Sequence, residues 1–124
     1  TYLGMTINDF PNLFTVMGPG SPAVLINMVR GIEQNVDWIS DLINYLQKNN
    51  KQEIESLASA QEMWTEKVIS LGKNTYINKI NNWYNGANVE NKVKSKKFVY
   101  YPDFDDKDFY EKIYTKKEFY KNKI

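Results

Sequence analysis

The strongest pattern in the chain is a long series of apolar positions. Its members recur three or four residues apart at Leu25, Met28, Ile32, Val36, Ile39, Ile43 and Leu46. That spacing places one apolar stripe along an α-helix, and we expect the stripe to face the core. Ser21 can cap this helix, and Pro22 suits its first position, where a missing N–H costs no hydrogen bond. The pattern therefore predicts a helix from Pro22 to about Lys48.

A second helix is predicted after a polar linker. Residues 59–62 read Ser-Ala-Gln-Glu, the S-x-x-E capping box in which a hydroxyl and a carboxylate satisfy the exposed amides of a helix start. We expect the helix to begin there and to end at Gly72 and Asn74, which favour a left-handed stop. Its predicted inner stripe consists of Trp64, Val68 and Leu71.

Short strands complete the predicted architecture. The run Leu13–Met17 is short, rich in β-formers and bounded by Pro11 and Gly18, so we predict a buried strand. Phe98–Tyr101 is strand-like, and Asp108–Tyr120 predicts one or two short helices. We therefore expect a mainly α chain with one or two short strands.

Composition narrows the chemistry that the chain can carry. Its 124 residues are 42% hydrophobic, enough for one small core, and include no His and no Cys. A triad base, a thiol nucleophile and a zinc site of the usual kind are therefore excluded. Oxygen-only sites for hard cations remain open, but no residue pattern points to one and we assign no metal ligand in this chain.

Two further features bear on where the protein acts. No apolar run reaches the roughly 20 residues that span a bilayer, so we expect no membrane span. The lack of cysteine fits the cytoplasm. Because the chain begins at Thr1 rather than Met, we expect it to be a piece of a longer polypeptide.

The segment 92–124 is rich in charge and aromatic rings. It holds ten lysines against six acidic residues. Basic and stacking side chains are typical of nucleic-acid binding. However, the acidic run 103–106 interrupts the basic residues, and no RNA-binding signature is present. A solvated lysine surface beside a partly buried aromatic face explains the composition better, and we expect no nucleic-acid partner.

The turn before the long helix offers the one local motif with a chemical interpretation. Residues 18–23 formally fit the dinucleotide fingerprint G-x-G-x-x-G/A. Pro19 and Pro22 have no N–H for a phosphate, and the position for the required acidic residue, Asp41, falls inside the helix. Two alternatives remain: a capped turn without a ligand, or a helix N-terminus that stabilises the negative charge of a reduced flavin.

Several short motifs together carry a family resemblance. They are Tyr2-Leu3-Gly4-Met5-Thr6, Phe10-Pro11-Asn12-Leu13-Phe14, Gly18-Pro19-Gly20-Ser21-Pro22, Ile32-Glu33-Gln34 with Trp38, and Trp83-Tyr84-Asn85-Gly86-Ala87-Asn88. In order and spacing, over residues 1 to about 91, the chain resembles the C-terminal part of Baeyer–Villiger monooxygenases of the cyclohexanone and phenylacetone monooxygenase group.

The resemblance implies an α/β flavoprotein with two dinucleotide-binding domains that uses FAD and NADPH. Such an enzyme takes a small ketone and molecular oxygen and inserts one oxygen atom beside the carbonyl. Its glycine fingerprints and active-site arginine lie upstream, so this chain would hold no catalytic residue and the missing N-terminal part would be its partner. Residues 1–50 would belong to the FAD-binding domain, 51–91 would carry the second helix and a cofactor loop, and 92–124 would be a divergent tail.

The resemblance also assigns site residues. The turn closing over the flavin would comprise Gly18, Pro19, Gly20, Ser21 and Pro22. The substrate pocket would be shaped by Ala23, Val24, Leu25 and Met28, with Asn27 beside Met28 among the cofactor contacts. Trp83 resembles the tryptophan of a mobile loop over NADP, and Asn88 completes that loop.

Each assignment has a simpler alternative. Met28 lies on the apolar stripe, and a methionine there is more often a core residue. Trp38 and Trp64 fall at helical core spacing, so we assign them no function, whereas Trp83 stands in a polar loop. For the whole chain, the alternative to an enzyme segment is a small non-catalytic helical interaction protein derived from such an enzyme.

Overall fold

The computed structural model describes most of the first 85 residues and a short strand near the end. The described residues are 1–21, 27–73, 75–85, 90–91 and 120–123. The regular elements are helices α1 (Met28–Lys48), α2 (Ala58–Lys73) and α3 (Tyr76–Lys79), a 3₁₀ turn (Trp83–Asn85) and strands β1 (Glu53–Ser56) and β2 (Tyr120–Lys123). The predicted class, mainly α with short strands, is confirmed.

Helix α1 ends at Lys48 as predicted but begins later than expected. Its N-cap is Asn27, whose side chain accepts hydrogen bonds from the backbone N–H groups of Val29 and Arg30. The predicted start with Ser21 as cap and Pro22 as first residue is wrong. An asparagine oxygen can satisfy the orphan amides as a serine does, and the extended backbone at Asn27 fixes the start there.

The buried face of α1 also differs from the predicted stripe. Ile39 is half-buried and Leu46 is buried, as expected, but Met28, Ile32, Val36 and Ile43 are exposed. The residues that α1 buries fully are Gly31, Asn35, Leu42 and Leu46. The described part of the chain therefore covers only one side of a wide apolar surface. Leu25 lies outside the described residues.

The predicted strand at Leu13–Met17 is wrong. Met17 has a left-handed backbone, with φ +53°, and so has Asn12 at φ +59°, which breaks an extended run at both ends. Only Phe14 forms an isolated bridge, to Thr6, among the described residues of this run. Two apolar side chains of the run, Leu13 and Val16, are exposed rather than buried.

A strand that the sequence did not indicate lies in the polar linker instead. β1 pairs antiparallel with β2, from Glu53 opposite Lys123 to Ser56 opposite Tyr120. Tyr120 is thus in a strand rather than the predicted helix, and the rest of that helix lies outside the described residues. So do the predicted strand at 98–101 and the stop residue Asn74.

The N-terminal segment is anchored to β1 by asparagine side chains. The Asn12 backbone N–H donates to the Ile54 carbonyl at 3.0 Å, and the Ile54 backbone N–H donates to the side-chain Oδ1 of Asn12 at 3.1 Å. Asn8 Nδ2 donates to the Ser56 carbonyl at 3.1 Å. Side-chain amides therefore act as strand partners for β1, although residues 8 and 12 are in no strand.

Helix α2 contributes the centre of the core. Trp64 and Val68 are buried and Leu71 packs against them, so the predicted stripe is confirmed. The capping box is wrong, because α2 begins at Ala58 and Ser59 lies inside its first turn. Gly72 is within the helix and has no left-handed φ, although α2 does end one residue later. The core around this stripe comprises Tyr2, Leu3, Met5, Leu42, Leu46, Ile54, Ala60, Trp64 and Val68.

Candidate functional site

The turn formed by residues 18–21 is held by the N-terminal segment, mainly through Gly4. The Gly18 N–H donates to the Gly4 carbonyl at 3.0 Å, and the Thr15 hydroxyl donates to the same carbonyl at 2.9 Å. The Ser21 N–H then donates to the Gly18 carbonyl at 3.1 Å, which closes the turn. Gly4 has φ +71°, and a Cβ there would lie 2.7 Å from Ser21 Cβ. Only glycine fits at this position.

Helix α2 holds the same turn from the other side. The Trp64 indole Nε1–H donates to the Gly20 carbonyl at 3.1 Å, in a buried contact. The edge of the Tyr2 ring meets the Trp64 ring at a centroid distance of 6.4 Å and an angle of 85°. Gly20 itself has φ +84°, and a Cβ there would approach Trp64 Nε1 to 3.0 Å. The turn therefore lies directly on the tryptophan.

The turn does not coincide with the N-terminus of α1. Residues 22–26 separate it from Asn27, and the Asn27 side chain already accepts from the amides of Val29 and Arg30 at 3.1 and 3.4 Å. Two first-turn donors that would stabilise an anion are thus occupied. The proposed action of the helix dipole on a flavin is therefore not favoured by this geometry.

Ser21 supplies a polar group that the described residues leave unsatisfied. Its side chain is 1% exposed, and Oγ has no hydrogen-bond partner among the described residues. A buried hydroxyl without a partner costs free energy, but Oγ is enclosed by the chain itself and is not open to a ligand. The part of the turn that a bound group could contact is exposed Pro19 with half-buried Gly18.

Asn27 and Met28 lie at the start of α1, and both are exposed. Met28 retains 43% of its exposed area, so the interpretation of Met28 as a core residue is wrong for the described part of the chain. Three predicted pocket residues, Ala23, Val24 and Leu25, lie outside the described residues, as does Pro22.

Trp83 is the most exposed tryptophan in the described part of the chain, at 69%. It begins the 3₁₀ turn, and its ring meets the edge of Tyr84 at 5.2 Å and 78°. Tyr84 packs against the core, and its N–H donates to Asn82 Oδ1 at 2.8 Å. Tyr84 and Asn82 therefore hold the 3₁₀ turn in place, while the Trp83 indole remains exposed. Asn88 lies outside the described residues.

Sequence reasoning missed Trp64 and Gly4 as supports of the turn. Helical spacing identified Trp64 only as a core residue, because no local pattern shows which carbonyl an indole N–H will meet 44 residues away in sequence. Gly4 stood inside a motif of the family resemblance, but its left-handed φ is visible only in the fold.

The described residues contain neither a candidate metal site nor a candidate membrane-spanning helix. Across the described ranges, no group of three or more His, Cys, Asp and Glu side chains could hold a metal ion. Nor does any helix within those ranges have the length and apolar character needed to cross a membrane.

The chain is similar in sequence and in structure to known monooxygenases. No protein-family model matches the chain. It is 39% identical over 92 residues to cyclohexanone 1,2-monooxygenase of Acinetobacter sp., which is 74% of this chain and 17% of that protein. It is 31% identical over 75 residues to an FAD-binding monooxygenase of Epichloe uncinata, or 60% of this chain and 14% of that protein.

Solved structures agree. Cyclohexanone monooxygenase from Rhodococcus sp. Phi1 bound to NADP⁺ superposes with a TM-score of 0.85 and 30% identity, over 99% of this chain and 23% of that one. An oxidized steroid monooxygenase bound to NADP gives 0.82 and 34%, over 98% and 23%. The fold is thus that of a monooxygenase segment. The chain belongs to the Baeyer–Villiger monooxygenases and spans less than a quarter of the length of these relatives.

Proposed function

We propose that this chain is part of an FAD- and NADPH-dependent monooxygenase that inserts one oxygen atom beside a ketone carbonyl, and that the chain is inactive alone. The observation that carries the proposal is the superposition of 99% of the chain on a cyclohexanone monooxygenase bound to NADP⁺. In such an enzyme, bound FAD would take electrons from NADPH and activate molecular oxygen. The chain's own residues would bind the cofactors, orient the ketone and exclude water from the site.

The turn 18–21, together with Pro22, is proposed to close over the flavin. Its support is the rigid frame beneath it: Gly4 on one side and Trp64 on the other fix the backbone of the turn. A preorganised backbone places its polar groups without reorganisation when the cofactor binds. Pro19 is exposed and Gly18 is half-buried, so these two residues are the part of the turn that we expect to meet the cofactor.

The substrate pocket is proposed to lie along residues 23–28. Met28 ends this segment at the first position of α1, and its exposed side chain is free to line a cavity completed by the rest of the enzyme. Asn27 is proposed to contact the cofactor through atoms that its capping role leaves available. An exposed methionine suits a small apolar ketone, since its thioether chain is flexible and adapts its shape.

Trp83 is proposed to fold over NADPH, with Asn88 completing the loop. The proposal is supported by an exposed indole on a base fixed by Tyr84 and Asn82. An aromatic ring that has no place in the core is available for contact with a nicotinamide or adenine ring.

The outer side of α1 is proposed as the contact with the missing N-terminal part of the enzyme. Its exposed apolar residues are Met28, Val29, Ile32, Val36 and Ile43. On a helix of 3.6 residues per turn they span an arc of about 100°, next to the buried face. An apolar arc of that width is unusual on a solvated helix. Relatives that are several times longer supply the chain that would cover it.

The proposed division of the chain follows from these roles. Residues 1–50 would complete the FAD-binding domain, 51–91 would carry α2 and the cofactor loop, and 92–124 would form a divergent tail. We place the enzyme in the cytoplasm, where NADPH is available as the reductant. Its other partners would be a small ketone and oxygen.

The test is an oxygen-insertion assay with the complete enzyme that contains this chain. With cyclohexanone, NADPH and ¹⁸O₂, we expect ketone-dependent NADPH oxidation and a lactone that carries one labelled oxygen atom. The 124-residue chain alone serves as the control and should neither bind FAD tightly nor form lactone. A complete protein that holds no FAD and forms no lactone would instead support the non-catalytic interaction protein.

A further inference from the structure

We propose that Trp64 is a positioning residue that fixes the turn 18–21 for flavin binding through the hydrogen bond from its indole N–H to the Gly20 carbonyl. The inference rests on the proposed function, since that function makes the turn a flavin contact. The role differs from the core position expected from helical spacing, because it depends on one polar atom of the side chain rather than on its apolar area.

The geometry of the contact supports a positioning role. Trp64 is 1% exposed and stands in the middle of α2, a regular helix that gives its ring a fixed origin. The indole N–H is a donor only, and at 3.1 Å from the Gly20 oxygen it makes a full hydrogen bond in a buried place. A buried hydrogen bond of this kind is costly to break, because both groups would lose their partner without gaining water.

The backbone of the turn is shaped to meet the indole. Gly20 has φ +84°, a conformation that L side chains rarely adopt, and a Cβ there would lie 3.0 Å from Nε1 and 3.5 Å from Cδ1 of Trp64. The Tyr2 ring packs edge-on against the same indole. The tryptophan therefore has little freedom to rotate, and the Gly20 carbonyl is held where the ring places it.

The contact also connects the turn to α2, 44 residues further along the sequence. Two further hydrogen bonds hold the turn from the N-terminal segment: the Thr1 hydroxyl donates to the Pro19 carbonyl, and the Gly18 N–H donates to the Gly4 carbonyl. Trp64 adds a fixed point from α2. A turn held from two elements keeps its position within a fraction of an ångström, which binding of a planar cofactor requires.

The decisive variant is Trp64→Phe in the complete enzyme. Phenylalanine keeps an aromatic ring in the core but removes the N–H, so the Gly20 carbonyl loses its donor. Because a single hydrogen bond is lost, we expect the dissociation constant of FAD to rise roughly threefold to tenfold. Flavin fluorescence during titration of the apoenzyme measures this constant directly.

Val68→Ala is the matched control, since Val68 is 2% exposed in the same core one turn further along α2. It should lower the melting temperature and leave the dissociation constant of FAD unchanged. An unchanged constant in Trp64→Phe would overturn the inference. So would an equal rise in Val68→Ala, because it would show that any loss of core stability weakens the turn.

A second measurement separates this inference from the proposed function. In the 124-residue chain, hydrogen exchange at the tryptophan indoles requires no cofactor. We expect the Trp64 indole hydrogen to exchange far more slowly than that of Trp83, which is 69% exposed. Equally fast exchange would show that the hydrogen bond from the Trp64 indole to the Gly20 carbonyl is not formed. If the complete protein binds no FAD while the Trp64 indole is protected, the proposed function fails, and the assignment to flavin positioning fails with it.

Discussion

The N-terminal segment 1–21 and helix α1 use opposite means to reach a defined structure. Residues 1–21 form no helix and no extended strand, yet they contain Tyr2 and Met5, which are fully buried. Helix α1 is the longest regular element of the described chain, yet it leaves a whole apolar side in the open. In this chain, regular secondary structure therefore does not indicate which part buries its apolar side chains.

The difference has a physical origin in where the hydrogen bonds lie. The irregular segment satisfies its backbone through contacts to distant residues, such as Asn12 to Ile54, so its conformation depends on tertiary structure. Helix α1 satisfies its backbone internally and can remain regular without a neighbour on one side. We infer that the backbone of residues 1–21 is held within this chain, whereas the outer side of α1 packs against the rest of the enzyme.

The largest expected effect comes from Gly4→Ala. The left-handed φ and the approach of 2.7 Å to Ser21 Cβ mean that an alanine must move the turn. Strain and overpacking together should cost about 3 kcal/mol of unfolding free energy. Denaturant unfolding of the 124-residue chain measures it. Ser59→Ala, an exposed change on α2, is the control, and equal midpoints for the two variants would contradict a tightly packed turn.

A smaller loss of unfolding free energy is expected from Asn35→Ala, which tests the hydrogen bond between the N-terminal segment and α1. Asn35 is 3% exposed, and its Oδ1 accepts a hydrogen bond from the Met17 N–H at 3.0 Å. Removing the amide leaves that N–H without its partner and should cost about 2 kcal/mol of unfolding free energy. The matched control is Asn44→Ala, an exposed asparagine on the same helix. If both variants unfold at the same denaturant concentration, the hydrogen bond from Met17 to Asn35 contributes nothing to stability.

These contacts show what could be predicted from the sequence. Periodicity gave α2's inner stripe and the end of α1 correctly, because helix packing repeats within a few residues. The strand predicted at 13–17 and the helix start at Pro22 were wrong, since left-handed residues and an asparagine cap decided them locally. Strand β1 was missed because its pairing partner comes from residues 120–123 and its other support from Asn12.

The predicted face of α1 was wrong for a reason that bears on function. The sequence records an apolar surface wide enough for two neighbours, whereas the described chain provides one. Asn35 and Gly31, which no hydrophobic pattern would place inside, are buried, and Asn35 accepts a hydrogen bond there from the Met17 N–H. For the site, the family resemblance named the turn and Trp83, but the support of the turn by Trp64 needed the fold.

Trp83→Ala should change cofactor binding with little effect on stability. The side chain is 69% exposed, so its loss should shift the melting temperature of the complete enzyme only slightly. If it covers NADPH, the KM for NADPH should rise roughly tenfold. The control is Tyr76→Ala, an aromatic residue 75% exposed, which should leave that KM unchanged. A large fall in melting temperature with normal NADPH kinetics would show that Trp83 is a structural anchor.

The smallest effect is expected from Val36→Lys in the 124-residue chain. Val36 is 47% exposed in the middle of the outer side of α1, so a lysine there meets solvent. The free energy of unfolding should change by less than about 0.5 kcal/mol, as for most surface substitutions. Asn44→Lys, on the polar side of the same helix, introduces the same charge and should behave alike.

The most direct test of the account is the same pair of variants in the complete enzyme. If the rest of the enzyme covers the outer side of α1, Val36→Lys buries an unpaired charge and should lower the melting temperature by several degrees, with loss of bound FAD. Asn44→Lys should leave both unchanged. A complete enzyme in which Val36→Lys melts and binds FAD like the wild type would contradict the account, because the outer side of α1 would then face solvent in the whole protein.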